Sequence, residues 1–207
     1  MAIENPPGPE GERPRPVDPS VFSQQFQHPS VSARVPERVA RGAMVTGAIV
    51  QDSPDEFCID FLQGLASPRA VAARVVMSPA MMNQFIAAVR DNIQKYEQNL
   101  GPIPVLPKPA IDRRPTIQEI YDDLRLPEEQ LSGAYANALM VGHSPAEFFF
   151  DFITRFFPTA AVSCRVFMSV PQVPRLLETL TMAMSQYQRR MAAMRSPQPP
   201  PGPETAR

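Results

Sequence analysis

Two sets of charged residues recur at one spacing in this chain: Glu56, Asp60 and Arg74, then Glu147, Asp151 and Arg165. Residues an even number apart on a strand share a face, so each pair of carboxylates could act together as general acid and base. The arginine on that face offers a simpler use for them, cross-strand ion pairing, which needs no substrate. We therefore read all six as structural ion pairs. The two histidines, His28 and His143, fall in a proline-rich tail and a hairpin turn, which leaves no metal cluster and no histidine-based triad to assemble. Glycine-rich phosphate loops are missing as well. Cys58 and Cys164 each sit in an apolar run and read as small buried thiols, which excludes a disulfide framework. The chain is expected to be non-enzymatic, without catalytic, cofactor-binding or metal-ligating residues.

The charged sets lie inside a duplication. Ser53-Pro54-Asp55-Glu56-Phe57-Cys58-Ile59-Asp60-Phe61 is answered 91 positions later by Ser144-Pro145-Ala146-Glu147-Phe148-Phe149-Phe150-Asp151-Phe152. The same offset pairs Gly42 with Gly133, Arg74-Val75 with Arg165-Val166, Met77-Ser78 with Met168-Ser169, and Tyr96 with Tyr187. A copy of about 57 residues is too long for a solenoid unit and suits a supersecondary module, so two copies should form one pseudo-symmetric body.

Each copy is predicted as strand, strand, strand, helix. In the first, residues 43 to 50 carry the small and β-branched residues of a strand, and Ser53-Pro54 makes a type I turn into a hairpin. Alternation then turns Phe57, Ile59 and Phe61 inward and Glu56, Cys58 and Asp60 outward, and a third strand over 70 to 77 puts Arg74 on that outer face. Ser78 caps a helix with Pro79 at its first position, and Met82, Phe85, Ile86, Val89, Ile93 and Tyr96 form its apolar stripe up to Gly101-Pro102. The second copy repeats this with strands over 134–141, 147–153 and 161–168 and a helix to about Met194. There Pro174 lies five residues past Ser169, where its ring would meet a carbonyl, so that helix should start late or bend. Phe149 and Phe167 stand where the first copy has Cys58 and Val76, which makes the second outer face too apolar for solvent, and the first module is the simplest cover.

The fold class expected is α+β, two tandem β-β-β-α modules with antiparallel sheets and one helix on each inner face. About three strands is the lower limit for an independent sheet, so the modules should pair as a pseudo-dimer. Of 26 prolines, eight precede residue 41, five lie between 102 and 115, and five follow Ser196. Those stretches read as a disordered tail (1–40), a linker (102–131) and a second disordered tail (196–207) around modules at 41–101 and 132–195. Arg13-Pro14-Arg15-Pro16 reads as solvating tail before it reads as a ligand for an aromatic groove. In the linker, Thr116 and Glu119 form a capping box for a short helix striped by Ile117, Ile120, Tyr121 and Leu124, a helix with no counterpart in the first module. It should pack against the body.

A net charge of −1 and a pI near 6.1 exert no overall pull toward nucleic acid or anionic membrane. Residues 1 to 6 lack a basic region and an apolar run, and no stretch approaches ~18 apolar residues, so a cytoplasmic chain without membrane contact is expected. The second module is locally positive, with Arg155, Arg165, Arg175, Arg189, Arg190 and Arg195. Its candidate binding face is Phe149, Arg165 and Phe167.

The pattern Ser-Pro-x-Glu-Phe-x-x-Asp-Phe, with Tyr135-Ala136-Asn137 ahead of it and Ser163-Cys164-Arg165-Val166 and a helix ending in tyrosine after it, resembles the bacterial domain of unknown function 3467 over both modules. The first module departs from it with Met44-Val45-Thr46 in place of Tyr-Ala-Asn. The resemblance implies a module and no particular activity. Arg74-Val75-Val76-Met77-Ser78 leading into a helix that ends Tyr96-Glu97-Gln98-Asn99-Leu100-Gly101-Pro102 is similar to the Pur-type repeat, whose tandem copies bind single-stranded nucleic acid; that repeat has four strands, against three here. Sheet-then-helix order with an apolar face also resembles SecB-type chaperones, which bind unfolded chains. The expected function is protein–protein interaction or scaffolding through an unidentified protein partner, with single-stranded nucleic-acid binding of Pur type as the alternative.

Overall fold

The stretch expected as one strand over residues 43 to 50 is two strands, and the break between them sets the topology. A computed structural model describes residues 33–107, 113, 116–156 and 159–195, so residues 1–32 of the first tail and all of the second lie outside the described residues. A four-residue helix α1 (Glu37–Ala40) leads into β1 (Ala43–Val45), β2 (Gly47–Asp52), β3 (Phe57–Gln63), β4 (Arg69–Met77) and α2 (Pro79–Leu100). Then follow α3 (Ile117–Asp122), β5 (Leu124–Arg125), β6 (Ala134–Ala136), β7 (Ala138–His143), β8 (Glu147–Thr154), β9 (Ala161–Ser169) and α4 (Val173–Arg195).

Each module thus sends four strands ahead of its long helix, and the first of them leaves home. β1 runs parallel to β9 with Ala43 opposite Val166 and Val45 opposite Met168. β6 runs parallel to β4 with Ala134 opposite Val75 and Ala136 opposite Met77, the same register under the 91-residue offset. One sheet is ordered β1-β9-β8-β7 and the other β2-β3-β4, with β5 and β6 both on β4. The bent strands β1–β2 and β6–β7 therefore each serve both sheets. Pairs within a module are antiparallel, as expected, whereas the exchanged pairs are parallel. β-propensity runs unbroken through residues 43 to 50, and it carries no mark of which neighbour each half will find.

The inner faces hold Phe57, Ile59, Phe61, Phe148, Phe150 and Phe152, all at 0% exposure. Both long helices cover these faces and cross to the other module. Phe85 of α2 meets Phe150 and Phe152 edge-on at 5.7 and 5.2 Å, and Phe57 lies 5.1 Å from Tyr187 of α4. The Tyr96 hydroxyl donates to the Pro145 carbonyl at 3.0 Å and the Tyr187 hydroxyl to the Pro54 carbonyl at 2.8 Å, so each helix end is pinned to the other module's hairpin turn. Arg190 of α4 also pairs with Asp52 at the end of β2. A single hydrophobic core results.

Ser78 caps α2 by accepting from the Met81 N–H, and the helix stops at Gly101, whose φ is 92°. In the second module a 3-10 turn over Val170–Gln172 precedes α4, which starts at Val173 with Pro174 in its first turn, the late start that the proline demands. Among the described residues, Arg34 and Leu124–Arg125, in stretches flanking the modules, are docked rather than free. Arg34 bridges Ala161, and β5 pairs Arg125 with Ala70, positions related by the same offset. Leu124, expected in the α3 stripe, is a buried strand residue instead, because α3 ends at Asp122 and the chain turns onto β4.

Residues 116–196 expressed alone should give a homodimer or an aggregate, since the isolated module loses both β4 and β1 as strand partners. Sedimentation and a urea titration test this: a well-behaved monomer with one full cooperative transition would contradict it.

Candidate functional site

The β3–β4 register sets Asp60 opposite Arg74, and the β8–β9 register sets Asp151 opposite Arg165. Both pairs are bidentate. Arg74 Nε and Nη2 donate to the Asp60 oxygens at 2.7 and 2.8 Å, and Arg165 Nε and Nη2 to those of Asp151 at 2.6 and 2.7 Å. Both aspartates are at 0% exposure, which leaves the guanidinium as the natural partner of a charge that would otherwise be costly to bury. The remaining nitrogen of each fork reaches across the molecule. Arg74 Nη1 donates to the Leu131 carbonyl at 3.1 Å and Arg165 Nη1 to the Ala40 carbonyl at 3.5 Å, so each pair holds the arm that enters from the other module. The hydrogen bond to its aspartate holds each guanidinium above the usual arginine range.

Glu56 and Glu147 do not join these pairs. Each turns to its own hairpin serine, Glu56 to Ser53 at 3.2 Å and Glu147 to Ser144 at 2.7 Å, while the same serines accept the glutamates' backbone N–H. Asp60 has a further partner. The Tyr121 hydroxyl of α3 donates to it and accepts from Gln51 Nε2 at 2.6 Å, so α3 packs over the first pair. Burial first, then the bond to Asp60, pushes the Tyr121 phenol up to about 12.

Phe149 and Phe167 face each other across β8 and β9, but neither ring is open to solvent on its whole face. Phe149 lies over Gly142, and Phe167 lies over Gly42, where an added Cβ would come within 2.5 Å of the ring. Gly42 and Gly133 hold φ values of 62° and 67°, a left-handed turn that brings each arm down onto the opposite sheet. The first module's arm and β1 therefore cover Phe167, as expected, whereas Phe149 is covered by β7 of its own module.

Where the two arms enter, β4 and β9 leave between them a cleft of about 720 Å³ on the pseudo-two-fold axis. Arg74 and Arg165 line it together with Arg38 and Arg41 from one arm and Glu129 and Ser132 from the other. Tyr135 stands at its edge, stacked on Phe156 with centroids 6.2 Å apart and planes within 6°; the two are 45% and 61% exposed. The Tyr135 carbonyl is held by the hydroxyls of Thr154 at 2.6 Å and Ser163 at 2.9 Å. Asn137 mimics a strand neighbour, donating to the Arg155 carbonyl at 3.2 Å and accepting the Arg155 N–H at 2.6 Å. Thr46 does the matching work in the first module, since its hydroxyl accepts the N–H of Gly64, the residue that corresponds to Arg155. The departure at Met44-Val45-Thr46 thus keeps the corner while changing the exposed ring.

Other reactive groups are tied up or masked. Burial raises both thiols, Cys164 to about 12, so neither is poised as a thiolate. Burial, then Lys95, lowers His143, which packs on Tyr96 at 5.4 Å. Among the described residues no three or more of His, Cys, Asp and Glu converge, and no helix is long and apolar enough to cross a membrane. Sequence reasoning missed Arg38 and Glu129 because they fell in a stretch read as tail and one read as linker, and Arg41 and Ser132 because they stand at the very first position of each module, ahead of its first strand. The available signal was Val35-Pro36-Glu37 recurring as Leu126-Pro127-Glu128 at the same offset.

The molecule is thus a duplicated α+β module whose halves exchange strands and helices around a shared cleft. Residues 4–105 and 113–196 each match the family described as Protein of unknown function (DUF3467), and the chain belongs to that family. No match is found among curated proteins.

Replacing Arg165 with Met strands the Asp151 carboxylate and should cost about 3 kcal/mol, within the range for breaking a buried pair. The double variant Asp151→Leu with Arg165→Met should recover most of that loss in urea denaturation; no recovery would mean that the arm contact and not the pair carries the stability. Tyr121 gives a pH signature. Its folded value of about 12 lies above the ordinary 10.0, so its contribution is complete below pH 10 and lost as pH rises toward 12. The melting temperature of the parent protein should fall more steeply than that of Tyr121→Phe above about pH 10, and parallel curves would rule this out.

Proposed function

We propose that this chain is a non-enzymatic, cytoplasmic module that binds another polypeptide in the cleft between its halves. The supporting observation is how the cleft's charge is spent. Arg74 and Arg165 are each saturated by a buried aspartate, which leaves Arg38 and Arg41 against Glu129. A nucleic-acid strand needs several free cations to displace its counterions, whereas a peptide needs apolar surface with a few placed polar groups. Tyr135 and Phe156 supply that surface at the rim, and Met44 and Leu65, their counterparts under the offset, are also exposed at 44% and 75%.

Single-stranded nucleic acid is the second reading, and two observations favour it. Each module has four strands ahead of its helix, the plan of the Pur-type repeat, and the stacked rings of Tyr135 and Phe156 lie beside Arg155, an arrangement on which bases can stack. Fold likeness alone carries little about activity, so the rings bear most of this weight.

A displayed peptide library and a single-stranded oligonucleotide titrated at two salt concentrations separate the two. Peptide ligands that lose affinity on Tyr135→Ala are expected. An oligonucleotide complex at micromolar or tighter affinity that weakens sharply with salt and vanishes in Tyr135→Ala with Phe156→Ala would install the nucleic-acid reading in its place.

A further inference from the structure

The two halves of the cleft are related by the duplication, yet they differ where a ligand would touch them. Gly42 and Gly133, Ala43 and Ala134, and Arg74 and Arg165 match, and all six line the cleft. At the exposed positions the match fails: Arg38 corresponds to Glu129, Arg41 to Ser132, and Met44 to Tyr135. Among the described residues Arg38, Arg41 and Glu129 make no ion pair, so their charges are unspent. The floor carries Arg74 and Arg165 with their charge balanced by Asp60 and Asp151, and so adds little net field.

What remains is a cleft with two free cations on one arm, a free carboxylate on the other, and a stacked aromatic pair at its edge. A two-fold symmetric ligand would meet attraction at one end and repulsion at the other. We infer that the cleft takes one extended acidic peptide segment per chain in a single direction, with its carboxylates against Arg38 and Arg41 and an aromatic or large apolar side chain against Tyr135 and Phe156. This rests on the polypeptide reading and narrows it. A phosphate chain fits less well, because its regularly spaced charge would bring an anion to Glu129 at one end of the cleft.

The experiment uses the full chain and three labelled peptides of one length: two glutamates at one end and two phenylalanines at the other, the same residues in reverse order, and the first with glutamine for glutamate. Fluorescence anisotropy should find one order bound about tenfold more tightly than the other, with the glutamine peptide weakened by a similar factor. Arg38→Glu with Arg41→Ser copies the opposite half at exposed positions and should abolish the order preference, and an unchanged melting curve confirms that the variant folds. Equal binding of both orders, or no response to that double variant, overturns the directional inference and leaves the polypeptide reading standing. Failure of every peptide, indifference to Tyr135→Ala, or displacement of bound peptide by an oligonucleotide overturns both.

Discussion

An unpaired sheet edge is the constraint from which the rest of this molecule follows. The three antiparallel strands β2-β3-β4 leave β4 open, and β7-β8-β9 leave β9 open. An open edge is a template for further pairing, and a sheet of about three strands is marginal alone. Each module closes the other's edge with its own first strand. That strand has only three residues, so its backbone bonds alone could not hold it. It is anchored by what surrounds it: Val45 and Ala136 are each at 1% exposure, and the positive φ of Gly42 and Gly133 lets the arms approach without a clash.

The Arg–Asp pairs are the latch on this exchange. A buried ion pair is weak evidence of stability, because desolvation offsets much of the attraction. Here the geometry assigns it a second task, since the fork that grips the aspartate also grips the carbonyl of the incoming arm. Strand register and arm position are thereby set by one side chain in each half. The same arrangement spends the two arginines that look most available in the sequence, which moves the unspent charge to Arg38, Arg41 and Glu129 on the arms.

The duplication has diverged unevenly, and packing accounts for it. Positions that meet the other half are constrained from two sides, so glycines, arginines and tyrosines keep their identity. Tyr96 and Tyr187 each pin a helix to the opposite turn in matching bonds. Exposed positions are free of that constraint. Met44 against Tyr135, and Leu65 against Phe156, differ at equivalent places on one scaffold, and there a two-fold body acquires a direction.

Much of the fold was legible because it is local or periodic. The 91-residue offset, the period-two faces of Phe57-Cys58-Ile59 and Phe148-Phe149-Phe150, the Ser78 cap and the late helix start at Pro174 all follow from neighbouring residues. The pairing of Asp60 with Arg74 and of Asp151 with Arg165 was legible too, since register follows once the turn is known. Glu56 and Glu147 were misassigned because a serine three residues away outcompetes an arginine on another strand. The strand exchange, the docking of residues 33–40 and 124–131, and the cleft that they enclose were decided by the tertiary structure alone. Those features depend on which edge a short strand finds, and a three-residue strand presents the same sequence to either sheet; only the assembled core, with the opposite edge left open for it, selects the partner.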